Sequence, residues 1–88
     1  MSTTTTVRVA VRYFAAARAA AGTESEELTV PAGTTVQALV DELASRGPEL
    51  GRVLARCSYL CDGVAVRDTG IALINAQTLD VLPQFAGG

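Results

Sequence analysis

The sequence predicts an α+β domain in which a mixed β-sheet packs on one main helix. Three observations lead there. Val7, Val9, Val11 and Tyr13 alternate with Arg8, Ala10 and Arg12, the two-residue period of a half-buried strand. Val36, Leu39, Val40 and Leu43 fall at i, i+3, i+4 and i+7, one apolar stripe along a helix. The other apolar runs are short and bounded by turn residues, so they read as strands. A single long helix cannot cover both faces of a sheet, and a sheet curling around one side of it is the economical packing.

The elements follow in order. The opening strand runs from Val7 to Tyr13. Phe14 to Ala21 switches to strong helix formers and stops at Gly22, a C-terminal cap. Thr23 to Glu27 is polar and expected to be exposed, and Glu27 to Val30 forms the second strand, ended by Pro31, which cannot donate to a ladder. Pro31-Ala32-Gly33 is turn chemistry, and Thr34 followed by Gln37 has the form of a capping box for the main helix. Gly47-Pro48 closes that helix. Glu49 to Arg56 reads as a second short helical piece that Gly51 weakens. Cys57 to Cys61 is a strand, Asp62-Gly63 a tight hairpin turn, and Val64 to Val66 the return strand. Ile71 to Ile74 is apolar but brief, Asn75-Ala76-Gln77 is loop, and Thr78 to Leu82 is the last strand. The expected organisation is a flexible tail over residues 1–6, one domain over 7–83, and an extended arm over 84–88.

Composition narrows the chemistry. The chain has 88 residues and a net charge of −2, and its seven basic residues, all arginine, are scattered. Nucleic-acid binding needs a dense basic face, so no nucleic-acid partner is expected. There is no lysine to receive a modifier or form a Schiff base, and no histidine to exchange a proton near neutral pH. A self-contained hydrolase or a metal site is therefore not expected. No apolar stretch approaches the ~20 residues of a membrane span, and Met1 to Thr6 lacks the pattern of a secretory signal, so a cytoplasmic protein with no membrane partner is the expectation. Cys57 and Cys61 do not have C-x-x-C spacing. On a strand both point to one face, as two small core residues or as a reactive thiol pair.

The candidate site is the end of the chain. Gly87-Gly88 follows the last strand at the tip of the arm. Glycine lacks a Cβ, so such an arm can pass through a channel too narrow for side chains. Ordering it costs about 1–2 kcal/mol per residue, which a partner's contacts must offset. A carboxylate is a poor electrophile. Converted to an acyl-adenylate it gains a leaving group that a sulfur nucleophile can displace, and the resulting thiocarboxylate needs no side-chain base on its carrier.

Three segments carry a family resemblance. Val9 to Gly22 (VAVRYFAAARAAAG) resembles the opening strand and turn of MoaD, the small sulfur-carrier subunit of molybdopterin synthase. Leu28 to Leu43 (LTVPAGTTVQALVDEL) is similar to its second strand, turn and helix, and Leu79 to Gly88 (LDVLPQFAGG) to its last strand and tail. The resemblance implies the β-grasp fold of the MoaD/ThiS ubiquitin-like superfamily. It implies that an adenylating enzyme consumes ATP to activate Gly88 and that a persulfide sulfur donor converts it to the thiocarboxylate. The carrier would then dock on the large synthase subunit, in a heterotetramer, and give its sulfur to cyclic pyranopterin monophosphate, forming the dithiolene that holds molybdenum. The resemblance places the acyl chemistry on Gly88, the threading on Gly87 and partner contact on Phe85 and Ala86; Phe85 reads equally as a core residue of the last strand. The resemblance further implies that no cofactor is held permanently and that the chain, non-catalytic by itself, serves as the small subunit of a sulfurtransferase complex. Gln84 stands where the family commonly has a second proline, and Asn75-Ala76-Gln77 where it has a more acidic turn. Sulfur carriage for cysteine or thiamin thiazole synthesis, protein modification through the terminal glycine, and a plain binding module remain the alternatives.

Overall fold

The computed structural model describes residues 5–83. Strand β1 (Thr6–Tyr13) buries Val7, Val9, Val11 and Tyr13 on one side, as the alternation predicts. It is followed by α1 (Ala15–Ala21), whose last turn is closed by Gly22 in the left-handed region (φ 78°), its N–H bonded to the Arg18 carbonyl. Strand β2 (Ser25–Pro31) pairs antiparallel with β1 from Arg12↔Ser25 to Thr6↔Pro31. It starts earlier than the Glu27 expected from polarity, and β1 takes in Thr6. Ser25 stays in solvent, and inward-facing Glu26 joins the ladder because Tyr13 and Arg46 satisfy its carboxylate. Pro31 is tolerated because an edge strand leaves one row of N–H positions unpaired.

Helix α2 (Val36–Ala44) buries Val36, Leu39, Val40 and Leu43, the predicted stripe. Its cap differs from the expected Thr34–Gln37 box. Thr35 is the N-cap, its Oγ1 accepting from the Ala38 N–H at 3.1 Å. The Thr34 hydroxyl donates instead to the Pro31 carbonyl, and Gln37 donates to Asp41. Thr34 is the residue that closes the Pro31–Gly33 turn, so it cannot also begin the helix. Two further N–H groups at the start of α2, those of Val36 and Gln37, donate to the carbonyls of Ile71 and Thr69. These groups have no intrahelical partner and would otherwise need water, so they tie the 69–73 segment to the helix.

Helix α3 (Pro48–Leu54) begins at Pro48 rather than after it, with the proline in the first turn, where its missing N–H is not required. Gly51 has a packing role. A Cβ there would lie 3.2 Å from the Ala44 carbonyl oxygen, so glycine lets α3 approach the end of α2. The chain continues through β3 (Cys57–Cys61), β4 (Val64–Ala65) and β5 (Gln77–Pro83). Asp62 and Gly63 both take positive φ (49° and 83°), the requirement of the hairpin turn read from their sequence. The sheet order is β2-β1-β5-β3-β4, with β5 parallel to β1 and antiparallel to β3. Among the described residues the fold is thus a mixed five-stranded sheet with three helices, and the main helix supplies much of its core.

Polar groups within this core are satisfied. The Tyr13 hydroxyl donates to Glu26 Oε2 at 2.8 Å, and Arg46 Nη1 donates to both oxygens of the same carboxylate, linking the end of α2 to β2. The Tyr59 hydroxyl donates to the Leu54 carbonyl and the Cys57 thiol to the Val53 carbonyl, fixing β3 under α3. Cys57, Tyr59 and Cys61 share the inner face, which fits the core reading of the cysteines.

Truncating Leu43, which is fully buried, to alanine is predicted to cost about 2–5 kcal/mol. In a chemical-denaturation series Val64→Ala, at an exposed site, is expected to stay within about 0.5 kcal/mol of wild type. Alkaline pH gives a second expectation. Burial raises the thiols of Cys57 and Cys61 and, with help from neighbouring carboxylates, the phenols of Tyr13 and Tyr59. The folded chain therefore keeps protons that the unfolded chain releases above about pH 8.5 (Cys) and about pH 10 (Tyr). Their contribution is complete below those values and is lost as pH rises toward the folded-state values. Melting temperature is predicted to fall above pH ~8.5 and more steeply above ~10. Tyr13→Phe with Tyr59→Phe is expected to flatten the steeper part when melts are compared across pH.

Candidate docking face at the root of the C-terminal arm

Strand β5 occupies the middle of the sheet, and its last residue, Pro83, pairs with Cys57. Gly88, Gly87, Phe85 and Ala86, to which the family resemblance assigns acyl chemistry, threading and partner contact, lie outside the described residues, as does Gln84. What is described is the platform from which they leave. The helices cover the inner side of this platform. The outer side, given by the alternate residues of each strand, carries Arg8, Ala10 and Arg12 from β1, Thr78, Asp80 and Leu82 from β5, and Ser58 and Leu60 from β3.

One ion pair dominates this outer side. Arg12 and Asp80 are direct neighbours in the parallel β1–β5 register. Arg12 Nε donates to Oδ1 at 2.6 Å and Nη2 to Oδ2 at 2.9 Å, a two-pronged geometry that fixes the guanidinium plane. Asp80 is only 6 % exposed, whereas the Arg12 side chain is 54 % exposed and roofs it. The guanidinium also lies 5.5 Å from the centre of the Phe14 ring, within cation–π range. By contrast Arg8–Glu27 joins two exposed side chains, a contact of little energetic weight.

Phe14 is held out by the backbone. Its N–H donates to the Val81 carbonyl, which pins the end of β1 to the arm-bearing strand. The next residue, Ala15, sits at φ 51°, a conformation that costs a non-glycine residue on the order of 1 kcal/mol. That turn starts α1 while leaving the Phe14 ring 37 % exposed. With half-buried Leu60 and Leu82 it forms an apolar area on the open face beside the Arg12–Asp80 pair. Phe14, expected from the sequence to lie in the helix, is instead the extended residue that precedes it, and the sequence assigns no role to Arg12 and Asp80. The signal available was an acid inside the apolar run Leu79–Leu82, but its partner emerges only from the parallel β1–β5 register.

The chemistry this platform can perform is limited to recognition. Among the described residues no group of three His, Cys, Asp or Glu side chains could hold a metal ion, and no helix is long and apolar enough to cross a membrane. A mixed five-stranded sheet with an open outer face and helices packed on its other side defines a ubiquitin-like protein of the β-grasp class. The ThiS family pattern matches residues 11–88, and the chain belongs to the ThiS family, within the ThiS/MoaD ubiquitin-like group. No curated protein sequence matches it. Among solved structures, it is similar to a Pyrococcus furiosus protein with the provisional description molybdopterin converting factor, subunit 1 (26% identity, TM-score 0.80, 90% of this chain and 99% of that one). It is also similar to small archaeal modifier protein SAMP1 of Haloferax volcanii (25% identity, TM-score 0.77, 92% and 99%). A complex of subunits 1 and 2 of molybdopterin-converting factor from Helicobacter pylori matches at 18% identity and TM-score 0.70 over 93% and 100%, a likeness of fold.

Removing one partner of the Arg12–Asp80 pair leaves the other as an uncompensated charge, and the effect depends on which one remains covered. Arg12→Ala is predicted to lower the melting temperature more than Arg8→Ala. Arg12→Ala combined with Asp80→Ala is expected to recover part of that loss, a coupling that a double-mutant cycle of thermal melts will read directly.

Proposed function

We propose that the protein is a sulfur carrier of molybdopterin synthesis, with the carboxyl group of Gly88 as its working group. The observation that carries this reading is the placement of β5. A ThiS-family chain holds the strand leading to Gly87-Gly88 in the interior of its sheet, so a five-residue arm (84–88) starts from a fixed point next to an open face. An arm anchored in this way can enter a partner's active site while the body docks outside.

The carboxylate attacks the α-phosphate of ATP in an adenylating enzyme, forming the acyl-adenylate and releasing pyrophosphate. A persulfide displaces AMP to give an acyl disulfide, and a thiol reductant cleaves it to the thiocarboxylate. That group then attacks cyclic pyranopterin monophosphate on the large synthase subunit. Phe14, Leu60, Leu82 and the Arg12–Asp80 pair form the face for such partners. The similarity to a molybdopterin converting factor subunit favours this pathway. The similarity to a small archaeal modifier favours a second reading, attachment of Gly88 to lysines of other proteins, which begins with the same activation.

Incubated with adenylating enzyme, ATP and a sulfur donor, the protein is predicted to exchange one oxygen for one sulfur by intact mass. Deleting Gly88 is expected to abolish transfer with almost no change in the thermal melt, because the deletion leaves residues 5–83 untouched. An unchanged wild-type mass in the presence of enzymes active on a control carrier would count against the carrier reading. Conjugates on lysines of other proteins, in place of sulfur delivered to the pterin, would favour the modifier reading.

A further inference from the structure

An activated C-terminal acyl group is a hazard to the chain that bears it. Five residues of arm can reach about 17 Å, far enough to fold back on the body or to meet a second copy. The side chains able to capture an acyl-adenylate are amines, imidazoles, thiols and, more weakly, phenols and hydroxyls.

We infer that the protein is a donor-only acyl carrier: once its C-terminal carboxylate is activated, no side chain of the same sequence captures it, and conjugates built with it stop at one copy. This rests on the carboxylate activation proposed above and adds what the activated group cannot do.

The side-chain amines are removed by composition. All seven basic residues are arginines, whose guanidinium stays protonated and is not a nucleophile at neutral pH. With no histidine the chain has no imidazole acceptor and no neutral base to activate its serine and threonine hydroxyls.

The thiols and phenols are removed by the fold. Cys57 is the critical case, because it pairs with Pro83 and so lies at the point where the arm begins. Its side chain turns to the inner face, and Sγ donates to the Val53 carbonyl at 3.1 Å. Cys61 is 8 % exposed on the same face. Burial raises both thiols, which further depletes the thiolate that would react. The Tyr13 and Tyr59 hydroxyls are held by Glu26 and the Leu54 carbonyl, and burial favours their neutral form. The Cys61 thiol and both phenols are thus turned inward, half-buried Cys57 is engaged by the Val53 carbonyl, and the outward-facing hydroxyls of Ser58 and Thr78 remain weak nucleophiles with no imidazole to activate them. If the acyl group is to reach sulfur or an amine, that group must come from another molecule.

The test uses full-length protein with adenylating enzyme and ATP, followed by intact mass and peptide mapping. A parallel reaction with sulfur donor establishes that the wild type is charged. Failure there overturns the proposed function and not this inference. Without sulfur donor, the wild-type chain is expected to give neither a product lighter by one water nor an amide-linked dimer. Arg52→Lys, Arg56→Lys and Arg67→Lys, placed together on exposed positions, are expected to raise the linked dimer at least tenfold over wild type, each link forming an amide with release of AMP. Self-adduct in the wild type, at any side chain or at its α-amino group, would overturn the inference. So would a triple-lysine variant that is charged normally yet forms no more dimer than wild type, since missing lysine would then not be what protects the chain.

Discussion

The structure depends on the pairing of its first and last strands. β1 and β5 lie side by side and parallel, so residues near the two ends of the sequence, such as Arg12 and Asp80, become direct neighbours. Parallel neighbours need a long crossover, and here everything from α1 to β4 serves as that crossover. The hairpin β1–β2 and the β3–β4 hairpin are local, and β5 is the strand that joins them into one sheet. Without β5 there would be two small ribbons with no common core, since Leu79 and Val81 fill the space between the halves. The same placement puts the arm's root at the most constrained position the sheet offers.

Much of this was legible in the sequence because local periodicity records burial. The alternation in β1 and the apolar stripe of α2 map directly onto the buried face of each element, and Gly22 and Asp62-Gly63 mark turns that need positive φ. The misread details share a cause: their roles are set by contacts distant in sequence or by competition between neighbours. Thr34 and Thr35 are chemically alike, and only the preceding turn decides which one caps the helix. Gly51 reads as a weak helix former until α2 is seen against it. The Ser25–Glu26 extension of β2 depends on β1 as its ladder partner.

The site divides in the same way. The Gly87-Gly88 reading rests on the covalent chain alone and lies outside the described residues. The open-face group is not legible in that way, because it is assembled across β1, β3 and β5. An aspartate on a central strand looks like a defect when read along the sequence. With Arg12 over it and Phe14 beside that guanidinium, it becomes part of an ordered surface. Two signs of functional pressure coincide there: a strained Ala15 and an aromatic ring left in solvent.

The central position of β5 also has a mechanical meaning. If the proposed transfer draws the chain end into another protein's channel, the load falls on β5 along its own length. β5 is bracketed by ladders on both edges, running from Val9↔Gln77 to Tyr13↔Val81 on one side and from Cys57↔Pro83 to Cys61↔Leu79 on the other. Tension along the strand acts across these bonds in shear, so they resist together, whereas a pull away from a sheet edge would peel them one at a time. The body therefore behaves as an anchor, able to keep its shape while its end is under tension.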